Sequence, residues 1–189
     1  CVDINPIAIE ETQKALKELG KNVNFIISPL EELNLLEESF DMVFSWGVLH
    51  HCVGFRKSLQ NLTKILKNGG ILYLYLYGRD SLPIEEDLKL FKKRLEYNNT
   101  KEPEKRYQIL LDRVHGDKDK LHAAHDLLAP VINRRFTFEQ VKDILIELGY
   151  CDIIRTIKHT EIFVRAIKGN NVSLDIFLPP KEPPYWFQR

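Results

Sequence analysis

Histidines, a few carboxylates and a pair of arginines carry most of the chemistry this 189-residue sequence can offer. His50 and His51 are adjacent and followed by Cys52. His122 and His125 stand three apart with Asp126 beside the second, and Arg134–Arg135 closes the same stretch. Adjacent residues opening a helix point about 100° apart, so His50 and His51 are not expected to share an ion. Zinc also wants spaced ligands in a tetrahedron, and no metal is expected. A histidine can instead serve as a general base toward a hydroxyl. That nominates His51, and His125 oriented by Asp126; the plainer readings are a packed histidine and the polar face of an exposed helix. Arg134–Arg135 offers charge to an anionic substrate or is simply solvated. Asp3 is a carboxylate at the end of a short apolar run, where it can accept hydrogen bonds from both hydroxyls of a ribose. Its alternative role, capping the next helix, is already filled by Asn5.

The elements that must position these groups alternate from the first residue. Asn5-Pro6 is an N-cap followed by proline at the first helical position, and Ala15, Leu16 and Leu19 share a face before Gly20 stops the helix. Phe25–Ile27 and Met42–Phe44 are short apolar strands. Leu59, Leu62, Ile65 and Leu66 have helical spacing closed by Asn68-Gly69-Gly70, and Ile71–Tyr77 is apolar or aromatic on both faces, as in an interior parallel strand. From about Arg79 to Arg135 no strand signal appears. Ile84, Leu88, Phe91 and Leu95 mark one amphipathic helix; Tyr107, Leu110, Leu111 and Val114 a second; Leu121, Ala124 and Leu128 a third. Thr137-Phe138-Glu139-Gln140 is a capping box with Phe136 placed to staple onto Val141. Ile153–Ile157 and Ile162–Ile167 are close enough to pair antiparallel. The expected fold is α/β, a Rossmann-like doubly wound sheet with a C-terminal antiparallel strand pair and a helical cap insertion. Its parts are core 1–78, cap 79–135, the rest of the core 136–168 and an extended tail 169–189. Ligands of such sheets bind outside the carboxyl ends of the strands. This singles out Asp3-Ile4-Asn5, Ser28-Pro29-Leu30, Ser45-Trp46-Gly47 and the residues after Tyr77.

Lys plus Arg and Asp plus Glu each number 27, so charge gives no reason to expect a nucleic acid or an anionic membrane as partner. No apolar run reaches the length of a membrane span. Cys1, Cys52 and Cys151 form no disulfide framework, which fits a reducing, cytoplasmic compartment.

Three segments resemble the class I S-adenosylmethionine-dependent methyltransferases. Val2-Asp3-Ile4-Asn5-Pro6 is similar to the family's second-strand motif and Ser39–His51 to its fourth-strand motif. Leu66-Lys67-Asn68-Gly69-Gly70-Ile71-Leu72 is similar to its turn into the fifth strand. The resemblance covers about Cys1 to Tyr77. It implies S-adenosyl-L-methionine as cofactor and a small-molecule methyl acceptor. It also implies that Asp3 binds the ribose, Ile4 packs on the adenine and the N–H of Leu30 meets the ring. Ser45 and Trp46 would lie beneath the methionine part, with His50 and His51 near the methyl group. The chain departs from the family at Pro29, where an Asp usually follows the third strand, and in having no glycine-rich G-x-G-x-G loop. Because Cys1-Val2-Asp3 already reads as a strand's end, a preceding segment is expected. The alternatives are a nicotinamide-dependent oxidoreductase, which would use Asp3 the same way, and a non-catalytic remnant.

Overall fold

A computed structural model of the protein describes residues 1–169, so the expected tail lies outside the described residues apart from Gly169. Strand β1 (Val2–Asp3) runs into helix α1 (Pro6–Glu18), whose start is set by the Asn5 side chain accepting from the Ile7 N–H. Strand β2 (Ile26–Ile27) pairs with β1 in parallel, Val2 against Ile26 and Asp3 against Ile27. Then come β3 (Phe40–Trp46), α2 (Phe55–Ile65) and β4 (Leu66–Leu76). Helices α3 (Ile84–Asn99), α4 (Pro103–Arg113) and α5 (Leu121–Leu128) form the insertion. Helix α6 (Phe138–Glu147) and strands β5 (Tyr150–Arg155) and β6 (Ile162–Lys168) complete the described chain.

The main sheet has the order β3-β4-β6-β5. β3 and β4 are parallel, whereas β6 is antiparallel to both β4 and β5. The expected terminal pair is therefore present, with the last strand inserted beside β4. Leu72, Leu74 and Leu76 are buried on one face of β4 and pack with Leu59, Leu62 and Ile65 of α2 and with Val141 and Leu145 of α6. The capping box at Thr137 forms as expected, both reciprocal hydrogen bonds being present.

Four details depart from the sequence reading. Asn68-Gly69-Gly70 lies inside β4, which starts at Leu66 directly after α2; the extra residues are absorbed as a bulge, Phe40 facing Leu66 and Met42 facing Ile71. In α1 only Ile9 is buried, while Ala15 and Leu19 are exposed. His50 and His51 do not open a helix: Leu49–His51 is a 3-10 turn, Cys52 is extended, and α2 begins at Phe55. The largest departure is α3. Its apolar stripe faces solvent, with Ile84 78% and Leu88 56% exposed, and the helix buries Leu90, Arg94 and Tyr97 instead. Leu90 and Tyr97 belong to a hydrophobic cluster internal to the cap, with Leu110, Ala124 and Leu128.

Two features position the site. First, the cap leaves and re-enters the core at one point. Phe136 N–H donates to Tyr77 O at 3.0 Å and Arg79 N–H to Phe136 O at 2.8 Å. Gly78, between them, passes so close to Thr160 that an added Cβ would lie 1.8 Å from its carbonyl oxygen. Second, the β1–β2 pair shares no ladder with the main sheet among the described residues. Between them lies a groove of about 550 Å³ with Val2 and Ile26 on one side and Met42 and Phe44 on the other, and Phe44 is 60% exposed. The turn after β2 is instead held from α2, where the buried Asn61 amide donates to Leu30 O and Glu31 O, both at 2.9 Å. Glu31 in turn accepts from Gly54 N–H at 2.8 Å. Burial pushes its carboxyl up, but that bond and its companions hold it below the ordinary value.

Candidate active site

Two cavities lie near the carboxyl ends of the parallel strands. One, of about 590 Å³, is lined by Asp3, Ile4, Ser28, Pro29, Leu30, Glu31, Val48, His51 and Gly54 among others. Asp3 stands there because β1 ends at it. One of its oxygens accepts from Asn5 N–H at 2.8 Å, so the carboxylate is oriented by the same turn that caps α1. Ile4 is exposed beside it, an apolar surface open to a flat ligand. The second cavity, of about 490 Å³, lies between the sheet and the cap, with Tyr75, Tyr77, Leu90, Leu127, Arg135 and Glu161 in its walls.

His50, His51 and Tyr77 stand between the two. The His50 ring stacks on Tyr77 at 3.9 Å, His51 meets His50 edge-on at 4.0 Å, and His51 lies 5.6 Å from Tyr77. The two rings are therefore neighbours, both packed against Tyr77. They are held from the segment returning from the cap. Arg134 N–H donates to His50 O, its guanidinium reaches the carbonyls of Cys52 and Val53, and His51 Nδ1 lies 2.7 Å from Ile132 O. A carbonyl only accepts, so Nδ1 of His51 carries the proton and Nε2 keeps its lone pair. Burial lowers the pKa of His51, with the Ile132 hydrogen bond opposing it, so the ring is neutral near pH 7.

His50 is fully buried and neither ring nitrogen has a hydrogen-bond partner among the described residues. Burial first, then the charges of His51, Arg135 and Arg94, push it down from 6.5 to about 3. As pH falls, the unfolded chain takes up this proton before the folded one does. The contribution is therefore complete above pH 6.5 and is lost as pH falls toward about 3. We expect a loss of up to about 1.4 kcal/mol per pH unit in that window. Urea unfolding of the wild type and of His50→Phe across it should show the steeper acid slope only in the wild type.

The other expected site residues are dispersed. Leu30 lines both the first cavity and the groove between the sheets. Ser45 is buried at that groove, its hydroxyl unpartnered among the described residues, and not in the first cavity. Trp46 belongs to an aromatic column, stacked on Phe44 at 5.3 Å and tilted against Tyr75 and Phe163. His125 is half-exposed on α5, 6.1 Å from the Tyr97 ring, and Asp126 lies nearer His122 than His125. Asn61, which fixes the loop beside Asp3, has no sequence signal that marks it, whereas Glu31, a candidate to replace the carboxylate missing at Pro29, lines the first cavity and accepts from Gly54 N–H.

Residues 1–74 match the family model described as "Methyltransferase domain". That stretch is similar to methyltransferase domains. It is 33% identical over 96 residues to an uncharacterised protein of Methanocaldococcus jannaschii, the match covering 49% of this chain and 42% of that protein. Among solved structures it is similar to 1,6-didemethyltoxoflavin-N1-methyltransferase of Burkholderia thailandensis, solved with 1,6-didemethyltoxoflavin and S-adenosylhomocysteine. The TM-score is 0.53 at 16% identity, covering 89% of this chain and 60% of that one. A SAM-dependent methyltransferase of Thermotoga maritima gives a TM-score of 0.54 at 16% identity, covering 88% and 72%. At these identities the structural likeness shows the fold alone. Among the described residues, no helix is long and apolar enough to cross a membrane.

The first cavity tests whether these residues fit the family's cofactor. Its volume suits a nucleoside, and it joins a carboxylate at a strand's end to an exposed aliphatic side chain. Ser45 and Trp46 do not line it, so the fit is to the adenosine portion.

Proposed function

We propose that this methyltransferase transfers a methyl group from S-adenosyl-L-methionine to an oxygen, nitrogen or carbon nucleophile of a small molecule. The observation that carries the reading is the nearness of two cavities, one lined by Asp3 and His51 and one beneath the cap lined by Tyr77, the His51 and Tyr77 rings being 5.6 Å apart. Two reactants held in these cavities meet at the wall those rings form, and most of the catalysis then comes from positioning. When bound, the cofactor supplies an electrophilic methyl whose bonding electrons return to sulfur, leaving a neutral thioether.

The chain's own part is to orient and to accept a proton. In this reading Asp3 takes the ribose hydroxyls, Ile4 packs on the adenine and Leu30 N–H meets its edge. Ser45, Trp46 and His50 act indirectly: Trp46 and His50 brace the strand ends and Ser45 lies in the adjoining groove. His51 is the base. Its Nδ1–H is fixed by Ile132 O, so its Nε2 lone pair receives the proton released when the acceptor's bond to carbon forms. His125 is a cap residue whose half-exposed ring favours contact with an incoming acceptor over proton transfer at the wall.

Asp3→Ala should weaken S-adenosylhomocysteine binding by about 1.5–3 kcal/mol, the scale for hydrogen bonds to a charged group. Calorimetry on wild type and variant checks this, with NAD titrated in parallel. Unchanged affinity removes Asp3 from the site, and preferential binding of NAD sinks the methyltransferase reading.

A further inference from the structure

Two guanidinium groups are buried where the cap meets the sheet. Arg94 is 3% exposed; its Nε donates to Leu127 O at 2.9 Å, and the Asn133 amide oxygen, in the orientation that satisfies both groups, faces its terminal nitrogens. All these acceptors are neutral. Arg135 donates to Ser81 Oγ at 2.6 Å and to Gly78 O at 3.3 Å, and its Nε stands 3.1 Å from an oxygen of Asp87. That ion pair is a charge contact and not an aligned hydrogen bond, since neither atom has a hydrogen-bond partner among the described residues.

Asp87 is thus the carboxylate that offsets both arginines: it favours the charged form of Arg94, while Arg135 disfavours it. A buried charge without an equal counter-charge is costly. Arg135 carries this positive charge into the lining of the cavity beneath the cap. At the mouth stand Lys89, paired with Glu86 at 2.7 Å, Lys93, paired with Glu96 at 2.8 Å, and Arg113. Glu161 is the carboxylate on the floor, and it already accepts Gly78 N–H at 2.5 Å. The rest of the floor is aromatic. Tyr75 lies flat on Phe163 at 4.8 Å, and Arg135 sits over the Tyr77 ring at 5.6 Å. Burial raises both phenols, so they remain hydrogen-bond donors near pH 7.

We infer that the cavity beneath the cap binds a planar aromatic acceptor carrying a carboxylate or similar anionic group, with the anion against Arg135 and the ring among Tyr75, Tyr77 and Leu90. This rests on the methyltransferase reading for the word acceptor, but the binding chemistry stands on the cavity alone.

The test uses the full chain saturated with S-adenosylhomocysteine and three isosteric probes: benzoate, benzamide and benzylamine. Affinities come from ligand-observed NMR. Benzoate should bind about tenfold more tightly than benzamide, the scale of one charged hydrogen bond, and benzylamine more weakly still. Arg135→Gln should abolish the benzoate preference. Because Arg135 also ties the cap to the core, Lys93→Glu serves as a second variant. Lys93 is exposed at the mouth, and its reversal should reduce benzoate affinity about two- to fivefold at low salt without unfolding the cap. Equal affinity for benzoate and benzamide, or tighter binding of benzylamine through Glu161, overturns the inference. So does a preference that survives both variants. Failure of S-adenosylhomocysteine to bind while the benzoate preference holds keeps the anion site and removes the methyltransferase reading.

Discussion

His51→Asn should lower the rate of methyl transfer about 10²–10⁴-fold, the range for loss of a positioned general base, with little change in S-adenosylhomocysteine affinity. The asparagine amide nitrogen stands where Nδ1 stood and can still donate to Ile132 O, so the loop from Val48 to Cys52 keeps its tie to the segment returning from the cap. What it lacks is the basic lone pair at the Nε2 position. The rate needs an acceptor, which a mass-spectrometric screen for methyl gain across a metabolite extract would supply. The pH profile separates base from scaffold. A base leaves a rising acidic limb in the wild type, governed by an imidazole below its ordinary value, and the variant should lack that limb. An unchanged rate would show that the acceptor loses its proton to solvent, and His51 would then be only part of the wall.

The second large effect is expected at Asn61. Asn61→Leu keeps the volume but leaves the carbonyls of Leu30 and Glu31 without the amide that serves both. Leu30 O keeps the Leu33 N–H at 3.3 Å, so the loss falls mainly on Glu31 O; at about 1–3 kcal/mol for a partner left unsatisfied, the variant should lose stability on that scale, unless the loop shifts to reach water. If it does shift, stability falls less and cofactor affinity falls more, because Leu30 lines the cavity that contains Asp3. Chemical denaturation and calorimetry on the same preparation distinguish the two; no loss in either measurement would mean the pair of hydrogen bonds is unimportant.

Local chemistry was easiest to read from the sequence. Asn5-Pro6 and Thr137-Phe138-Glu139-Gln140 carry their geometry within a few residues, and both caps form as expected. The apolar pattern of Leu59, Leu62 and Ile65 found the core because that helix has only one apolar face. Helix α3 misled for the opposite reason. Ile84, Leu88, Phe91 and Leu95 make a regular stripe, yet the face that packs includes an arginine and a tyrosine. Arg94 reads as a solvated residue unless the carbonyls and the Asn133 oxygen that receive it are known, and these lie thirty or more residues away in the chain. Asn61 was hidden in the same way, its partners belonging to the loop after β2. His50 and His51 were placed on a helix that starts later, at Phe55. Pairings far apart in sequence decided each of these, and neither periodicity nor spacing records them.

The separation of β1–β2 from the main sheet also has a thermodynamic side. The short ladder is held through the loop after β2, α1 and the Asn61 contact, not by continuous strand pairing, so it is placed to open locally at a free energy below that of global unfolding. Asp3 and Ile4 would open with it, leaving β4 and β6 intact. Ligand that binds only the closed form raises the free energy of that opening in proportion to the logarithm of its concentration over the dissociation constant. Occupancy of the Asp3 cavity would then tighten a part of the molecule that the main sheet barely restrains, and affinity there would include the cost of ordering the β1–β2 ladder.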